Sequence, residues 1–311
     1  MSSKTDQLDH GSKNFQVTPV APESFDTFSI HPLRHNYQDH PMLQLPAIRE
    51  LAHYLLDYKK CRFAGAELAL DSDFYHVPEH PDGKSLDDVF NELENPKSWI
   101  ALYNIETHPD YQAFLNDVIA DVLPRVEKEQ GKIFAVQGFM FISSPPSFTP
   151  FHIDRENNFW IQLRGRKIMT VFDNSDRDLV SADALEGFVL RRSLRGVRLQ
   201  EDAVAKGHRF DVGPGDGVYF PSTSPHMTES TSDWVEPGNA VSISLGVVFY
   251  TEFTRRQARN HHANHLLKKL GLHPGPVPVR PPLSHWKSAL GYCYGMARSL
   301  LTSYKPPPGS L

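Results

Sequence analysis

Over residues 132–250 the chain becomes a series of short β-branched, aromatic and aliphatic runs, at 132–143, 158–163, 167–173, 217–220 and 240–250, broken by glycine and proline. Runs this short bury little surface as helices. As strands they need partners, which predicts a β-sandwich or barrel. The flanks have a different period. In 46–60, Ile48, Leu51, Tyr54, Leu55 and Tyr58 fall on one side of a helix. Ser85 with Asp88 three residues later predicts the capped start of a short helix. In 110–130, Phe114, Leu115, Val118, Val122 and Val126 form a stripe that Pro124 kinks or splits and Gly131 ends. Helical period returns over 253–270, followed by a stiff proline-rich connector at 273–282. A last helix is expected over 283–304, with Trp286, Leu290, Cys293, Met296, Ala297, Leu300, Leu301 and Tyr304 at helical spacing. The expected organisation is a flexible arm (1–22), a helical region packed on the core (23–130), a β core (131–252) and C-terminal helices (253–311).

Composition removes several function classes. Asp and Glu outnumber Lys and Arg, 37 to 32, for a net charge of -5, so the basic footprint of a nucleic-acid binder is missing and no such partner is expected. The two cysteines, Cys61 and Cys293, make neither a disulfide framework nor a cysteine-rich zinc site. No run of about 18 apolar residues offers a membrane span. The first residues have no apolar core, so no secretory leader is expected and the chain reads as cytoplasmic. The 16 histidines are numerous, which makes their spacing worth following.

In TPFHIDRENNFWIQLRGRK, residues 149–167, His152 and Asp154 stand two apart. On an extended strand they share a face. The Arg164-Gly165 pair predicts a hairpin in which Gln162 lies opposite Lys167, Trp160 opposite Met169 and Asn158 opposite Val171. Those six share the face of His152 and Asp154. The other face carries Phe159, Ile161, Leu163, Ile168 and Phe172 and is the packing face. The polar face meets water or lines a cavity. The imidazole and carboxylate on it point to a cavity, where an enclosed lysine needs an anionic partner. The third ligand candidate is His226, in GDGVYFPSTSPHMTES. Two histidines and one carboxylate form a facial triad, which leaves positions on Fe(II) open for a chelating co-substrate and O2. A structural zinc site would close its shell instead.

The stretch resembles the cupin-like JmjC-type Fe(II)/2-oxoglutarate dioxygenases. It looks most like the branch containing the asparaginyl hydroxylase that inhibits hypoxia-inducible factor and its bacterial relatives. The resemblance covers about residues 85–250. The family's T-P-x-H-x-D stands here as Thr149-Pro150-Phe151-His152-Ile153-Asp154. Its Asn-bearing strand and x-G-x-K turn stand as Asn158-Phe159 and Arg164-Gly165-Arg166-Lys167. Its distal motif stands as Pro221, His226, Glu229 and Ser230. The resemblance implies a mainly β fold with flanking helices, a double-stranded β-helix or jelly roll, with the catalytic core at 131–252. It implies iron held by His152, Asp154 and His226. Lys167 would pair with the distal carboxylate of 2-oxoglutarate, Thr149 would add a hydroxyl to it, and Asn158 would support the site by hydrogen bonding. The implied activity is hydroxylation of an unknown substrate, a protein side chain or a small molecule. Dimerisation through C-terminal helices is implied as well. The final strand offers Ser242, Ser244 and Gly246 but no second amide, so the named hydroxylase's substrate contacts do not carry over. The alternatives are a non-oxidative cupin-type metal enzyme, a JmjC demethylase and a 2-oxoglutarate-binding sensor without turnover.

Other features receive plainer readings. His261, His262 and His265 lie on a helix without the glutamate of H-E-x-x-H and read as a packed or solvated face. His31, His35 and His40 fall in an expected loop with no catalytic role. Arg191, Arg192, Arg195 and Arg198 form a basic run, read as a solvated face or as a lid over an anionic substrate.

Overall fold

Two antiparallel sheets lie face to face in the computed structural model, which describes residues 15–63, 80, 82–95, 98–120, 122–231, 233, 240–306 and 309–311. Strands β1 (Val17–Pro19) and β2 (His31–His35) precede α1 (Leu45–Asp57), β3 (Cys61–Arg62), α2 (Leu86–Asn91), β4 (Trp99–Tyr103), α3 (Pro109–Ala120) and α4 (Leu123–Gln130). The chain continues through β5 (Ile133–Ser143), β6 (Ser147–His152), β7 (Asn157–Arg164), β8 (Lys167–Val171), α5 (Ala182–Arg191), β9 (His208–Val212), β10 (Asp216–Phe220), β11 (His226–Ser230) and β12 (Ser242–Thr251). Helices α6 (Glu252–Lys269) and α7 (His285–Leu301) follow. The larger sheet has the order β1-β2-β10-β7-β12-β5-β4-β3, the smaller β6-β11-β8-β9. From β5 to β12 successive strands alternate between the sheets, except that β8 and β9 pair within the smaller one, as in a double-stranded β-helix.

Local chemistry sets several boundaries. Ser85 and Asp88 form a reciprocal capping box on α2. Pro124 sits in the first turn of α4, where its missing N–H costs nothing, so the 110–130 stripe is two helices rather than one kinked helix.

Three apolar layers position the site. Phe159, Ile161, Leu245 and Val247 turn outward from the larger sheet and belong to one cluster with Leu51 and Leu55 of α1 and Phe114, Leu115 and Val118 of α3. Phe151, Ile153 and Phe172, around the smaller sheet, join Leu185, Phe188 and Val189 of α5 and Ala258 of α6. Trp160, Met169, Val171, Val212, Val218 and Phe220 fill part of the space between the sheets. Each such buried side chain contributes about 1.5–3 kcal/mol.

Four expectations need correction. Residues 1–14 of the expected flexible arm lie outside the described residues, but Val17–Pro19 is a strand paired with β2, and Val17 is fully buried. The 23–130 region supplies strands as well as helices: β2 pairs with β10 and β4 with β5, because the larger sheet needs edge partners. His31 and His35 therefore bound a strand, not a loop.

The third correction concerns the hairpin, which does not form. β7 pairs with β10 and β12, while β8 pairs with β11 and β9. Gly165, at φ +67, turns the chain from one sheet to the other, and a Cβ there would lie 2.6 Å from the Val241 carbonyl oxygen. Face alternation survives this corner, so Trp160, Met169 and Val171 share the interior as expected.

Fourth, the last helix spans His285–Leu301 rather than 283–304, and most of its apolar stripe lies on the face away from the protein body. Ser288, Gly291 and Gly295 are the buried positions of α7. A Cβ on Gly291 would lie 1.8 Å from the Arg259 carbonyl oxygen of α6, so glycine permits the close helix approach. Trp286, Cys293, Ala297, Leu300 and Leu301 face outward.

Candidate metal centre and active site

The site starts from one cross-strand pair. β6 and β11 run antiparallel with His152 opposite His226, and the two rings stand 4.1 Å apart between centroids. Directly opposed residues share a face, so both imidazoles point between the sheets. Asp154 lies just past the end of β6 rather than within it. Its Oδ2 is 3.5 Å from His226 Nε2 and 3.9 Å from His152 Nε2. Among the described residues, this is the group of three or more His, Cys, Asp or Glu side chains placed to share an ion, with ligand atoms within 4.8 Å of one another.

Both histidines are oriented by the same device. His152 Nδ1 is 2.8 Å from the Pro150 carbonyl oxygen, and His226 Nδ1 is 3.0 Å from that of Ser224. A carbonyl only accepts, so Nδ1 carries the proton and Nε2 presents its lone pair. Burial, and then the neighbouring His152, hold the His226 imidazole neutral, well below the usual histidine range. An Nε2 lone pair thus faces a carboxylate oxygen with no proton between them. A cation satisfies that arrangement, and this donor set fits a first-row divalent metal.

A loop ties the two ligand strands together. Thr223 N–H donates to the Asp154 carbonyl at 2.8 Å, Ser222 N–H to Asn157 Oδ1 at 3.1 Å, and Ser222 Oγ to the Arg155 carbonyl at 2.7 Å. Thr223 takes φ +64, an uncommon conformation for a β-branched residue. The loop 221–225 is thereby laced to 154–157. Sequence reasoning missed Thr223, and only its setting among small residues between two prolines hints at it. Beside this loop Glu156 accepts from Tyr250 Oη, and burial first, with Asp154 second, pushes its carboxyl above the usual range.

Thr149 reaches the interior through an irregularity. The register pairs His226 with His152 but Thr228 with Thr149, so β6 spends one extra residue between them. On a regular strand, residues three apart point to opposite faces. Because His226 and Thr228 share a face, Thr149 and His152 do too.

Lys167, at the start of β8, is 4% exposed. It has no hydrogen bond or ion pair among the described residues, and burial alone pulls its ammonium down from 10.5 to about 8. Asn158 is 5% exposed, and its Oδ1 lacks a partner. It lies opposite Phe220, whose ring is 4.6 Å from that of His226. Gln162, expected to point freely with them, is instead tied by Nε2 to the Arg164 carbonyl and Ser242 Oγ. Ser244 Oγ, on the next strand, is buried without a partner. The interior therefore joins an unpaired cation to unsatisfied polar atoms, a setting for a polar anion.

The larger-sheet wall that carries Asn158 and Ser244 is otherwise aromatic. Trp160, Gly246, Phe139 and Tyr103 are successive cross-strand partners over β7, β12, β5 and β4 and so share the interior face. Sequence reasoning missed Tyr103 and Phe139, because the pairing that aligns them joins distant segments. It also missed Thr228, 7% exposed and opposite Met169.

The remaining histidines among the described residues do not join the site. His261 and His262 are buried on α6, and His265 Nδ1 is 3.0 Å from Glu186 Oε1. His35 is held by the Gln162 carbonyl at 2.9 Å. Arg191, Arg192, Arg195 and Arg198 are exposed on and beyond the end of α5.

The sheet order defines a double-stranded β-helix, and it carries His152, Asp154 and His226 as a candidate metal triad. No family model matches the chain, and no curated protein does. Similar solved structures include YcfD, a ribosomal oxygenase from Escherichia coli, at 13% identity and a TM-score of 0.44, covering 91% of this chain and 67% of that one. YcfD in complex with cobalt and 2-oxoglutarate is 16% identical with a TM-score of 0.45, over 95% of this chain and 69% of that one. The DMSP lyase DddQ from Ruegeria pomeroyi DSS-3 is 16% identical over 37% of this chain and 38% of its own, with a TM-score of 0.23. The fold assignment rests on the strand order itself.

Proposed function

We propose that this chain is an Fe(II)- and 2-oxoglutarate-dependent dioxygenase that hydroxylates its substrate. The observation that carries the reading is the conjunction of the His152–Asp154–His226 triad with the buried, unpaired Lys167 in one interior. A facial triad alone serves many metal enzymes. The lysine adds the demand for an anion with a carboxylate remote from the metal.

His152, Asp154 and His226 would hold the iron, which when bound supplies the redox chemistry that activates O2. The protein's own residues do the rest. The Pro150 and Ser224 carbonyls fix the imidazole tautomers. Lys167 pairs with the distal carboxylate of 2-oxoglutarate, Thr149 donates its hydroxyl to the same group, and Asn158 offers its amide beside the metal. The aromatic wall of Tyr103, Phe139 and Trp160 limits water in the cavity.

The test is incubation of the pure protein with iron, 2-oxoglutarate and cell extract. Succinate release together with a substrate mass gain of one oxygen supports the reading. Substrate loss of a methyl group would assign demethylation, succinate-free turnover a non-oxidative enzyme, and tight 2-oxoglutarate binding without turnover a sensor.

The proposal extends to assembly and location. The outward face of α7, with Leu300 78% and Leu301 83% exposed, supports a homodimer seam. Free Cys61 and Cys293 fit a reducing, cytoplasmic setting. No helix among the described residues is long and apolar enough to cross a membrane.

A further inference from the structure

His261 opens the HHANH run on α6 and is 4% exposed. It lines a cavity of about 200 Å³ bounded by α5, α6 and the proline-rich connector at 274–277, away from the metal triad. That volume is several times the ~30 Å³ share of one water. No hydrogen bond engages the His261 ring among the described residues.

Most other polar groups around this cavity are already committed. Glu186 is held by His265 at 3.0 Å and Lys268 at 2.9 Å, and Lys268 also binds Asp183 at 2.7 Å. Asn264 donates to the Gly275 carbonyl at 2.9 Å and accepts from Lys287 Nζ at 2.9 Å. Arg177 differs. It lines the cavity and makes one hydrogen bond, Nη1 to the Asn174 carbonyl at 2.8 Å. Burial pulls its guanidinium below the usual range, against which Asp173 and Asp176 favour its charge without forming an ion pair with it among the described residues. Ala182, Leu185, Pro274, Pro276 and Val277 supply the apolar lining.

We infer that this cavity is a second ligand site, for a small organic monoanion. A carboxylate would take the Arg177 guanidinium and an N–H of His261, and a short hydrocarbon body would lie against Leu185, Pro276 and Val277. One uncommitted cation matches one negative charge. The apolar lining favours a carbon chain over an inorganic ion. The inference does not depend on the dioxygenase reading.

The test is a titration of the full chain with sodium butyrate, read from the histidine ring signals by NMR, with His261 assigned through His261→Gln. The His261 shift should saturate with a Kd on the order of 1 mM, as expected for a ligand of so few atoms. Arg177→Met should weaken binding about tenfold or more. Val277→Trp fills the cavity while Arg177 itself is unchanged, and should abolish binding even if Arg177→Met is poorly folded. Asp154→Ala should bind butyrate as the parent chain does. A non-saturating shift, or binding unchanged in Val277→Trp, overturns the site. Formate or inorganic phosphate binding as tightly as butyrate overturns the organic ligand, and succinate binding more tightly overturns the single charge.

Discussion

His152 and His226 face each other directly across two antiparallel strands, and each donates Nδ1–H to a carbonyl two residues earlier in its own chain, on Pro150 and Ser224. Two segments distant in sequence thus present identical tautomers, with both Nε2 atoms within 4.0 Å of one Asp154 oxygen. Rigid strands and local backbone acceptors orient the ligands before any ion arrives.

His226→Ala, His152→Ala and Asp154→Ala should each abolish 2-oxoglutarate turnover while far-ultraviolet circular dichroism stays native. Asp154→Ala should be at least as damaging as loss of one histidine, because it removes the only anionic ligand of the triad. Cobalt titration followed by visible absorption measures the metal site independently of turnover. Full activity in His226→Ala would eliminate this triad.

Lys167→Met should raise the 2-oxoglutarate KM far more than it alters metal affinity. Losing a charge-assisted contact to an enclosed carboxylate costs about 2–5 kcal/mol, or roughly 30-fold to several-thousand-fold. Steady-state kinetics beside cobalt titration separates the two effects. An unchanged KM would remove Lys167 from the co-substrate site.

Lys167 also predicts a pH signature. Its ammonium titrates at about 8 in the folded chain against 10.5 unfolded. Between those values the unfolded state holds the extra proton, so the ligand-free protein gains stability as pH rises through the window. The cost of the buried charge is complete below about 8 and is on the order of 3 kcal/mol. Thermal melts from pH 7 to pH 10.5 should show the rise in the parent chain relative to Lys167→Met. Affinity for 2-oxoglutarate should fall over the same range, because a neutral amine cannot pair with the carboxylate.

Thr223 separates backbone geometry from side-chain chemistry. Thr223→Gly accepts φ +64 and keeps the N–H that meets Asp154, so cobalt affinity should stay within about threefold. Thr223→Pro removes that donor and forbids the conformation, so affinity should fall about tenfold or more.

Two positions on α7 report opposite faces. Gly291→Ala drives a methyl into the Arg259 carbonyl and should destabilise the chain by about 1–3 kcal/mol in urea unfolding. Ala297→Glu lies on the outward stripe and should split the proposed dimer into folded monomers by sedimentation. If the parent chain sediments as a monomer at micromolar concentration, the dimer is wrong and Ala297→Glu should leave its mass unchanged.

The chain's local signals settled a great deal. The capping pair Ser85 and Asp88, the break at Pro124 and the stop at Gly131 were legible because each acts within one turn of backbone. The convergence of His152, Asp154 and His226 was legible because imidazole and carboxylate carry their chemistry in the side chain, and strand alternation kept Trp160, Met169 and Val171 on one face. What required the tertiary structure were the facts created by pairing between distant segments. Arg164-Gly165 has the local form of a hairpin turn, yet the strands on either side find better partners in opposite sheets. Thr149 reaches the interior because pairing with Thr228 absorbs an extra residue. The apolar stripe of α7 left open whether it packs on this chain or on a partner, but the face turned to α6 is set by Gly291, whose lack of side chain lets the helix approach and which a hydrophobicity pattern cannot register. Local conformational preference is written residue by residue, whereas partner choice is decided by how the whole chain closes its sheets and fills the space between them.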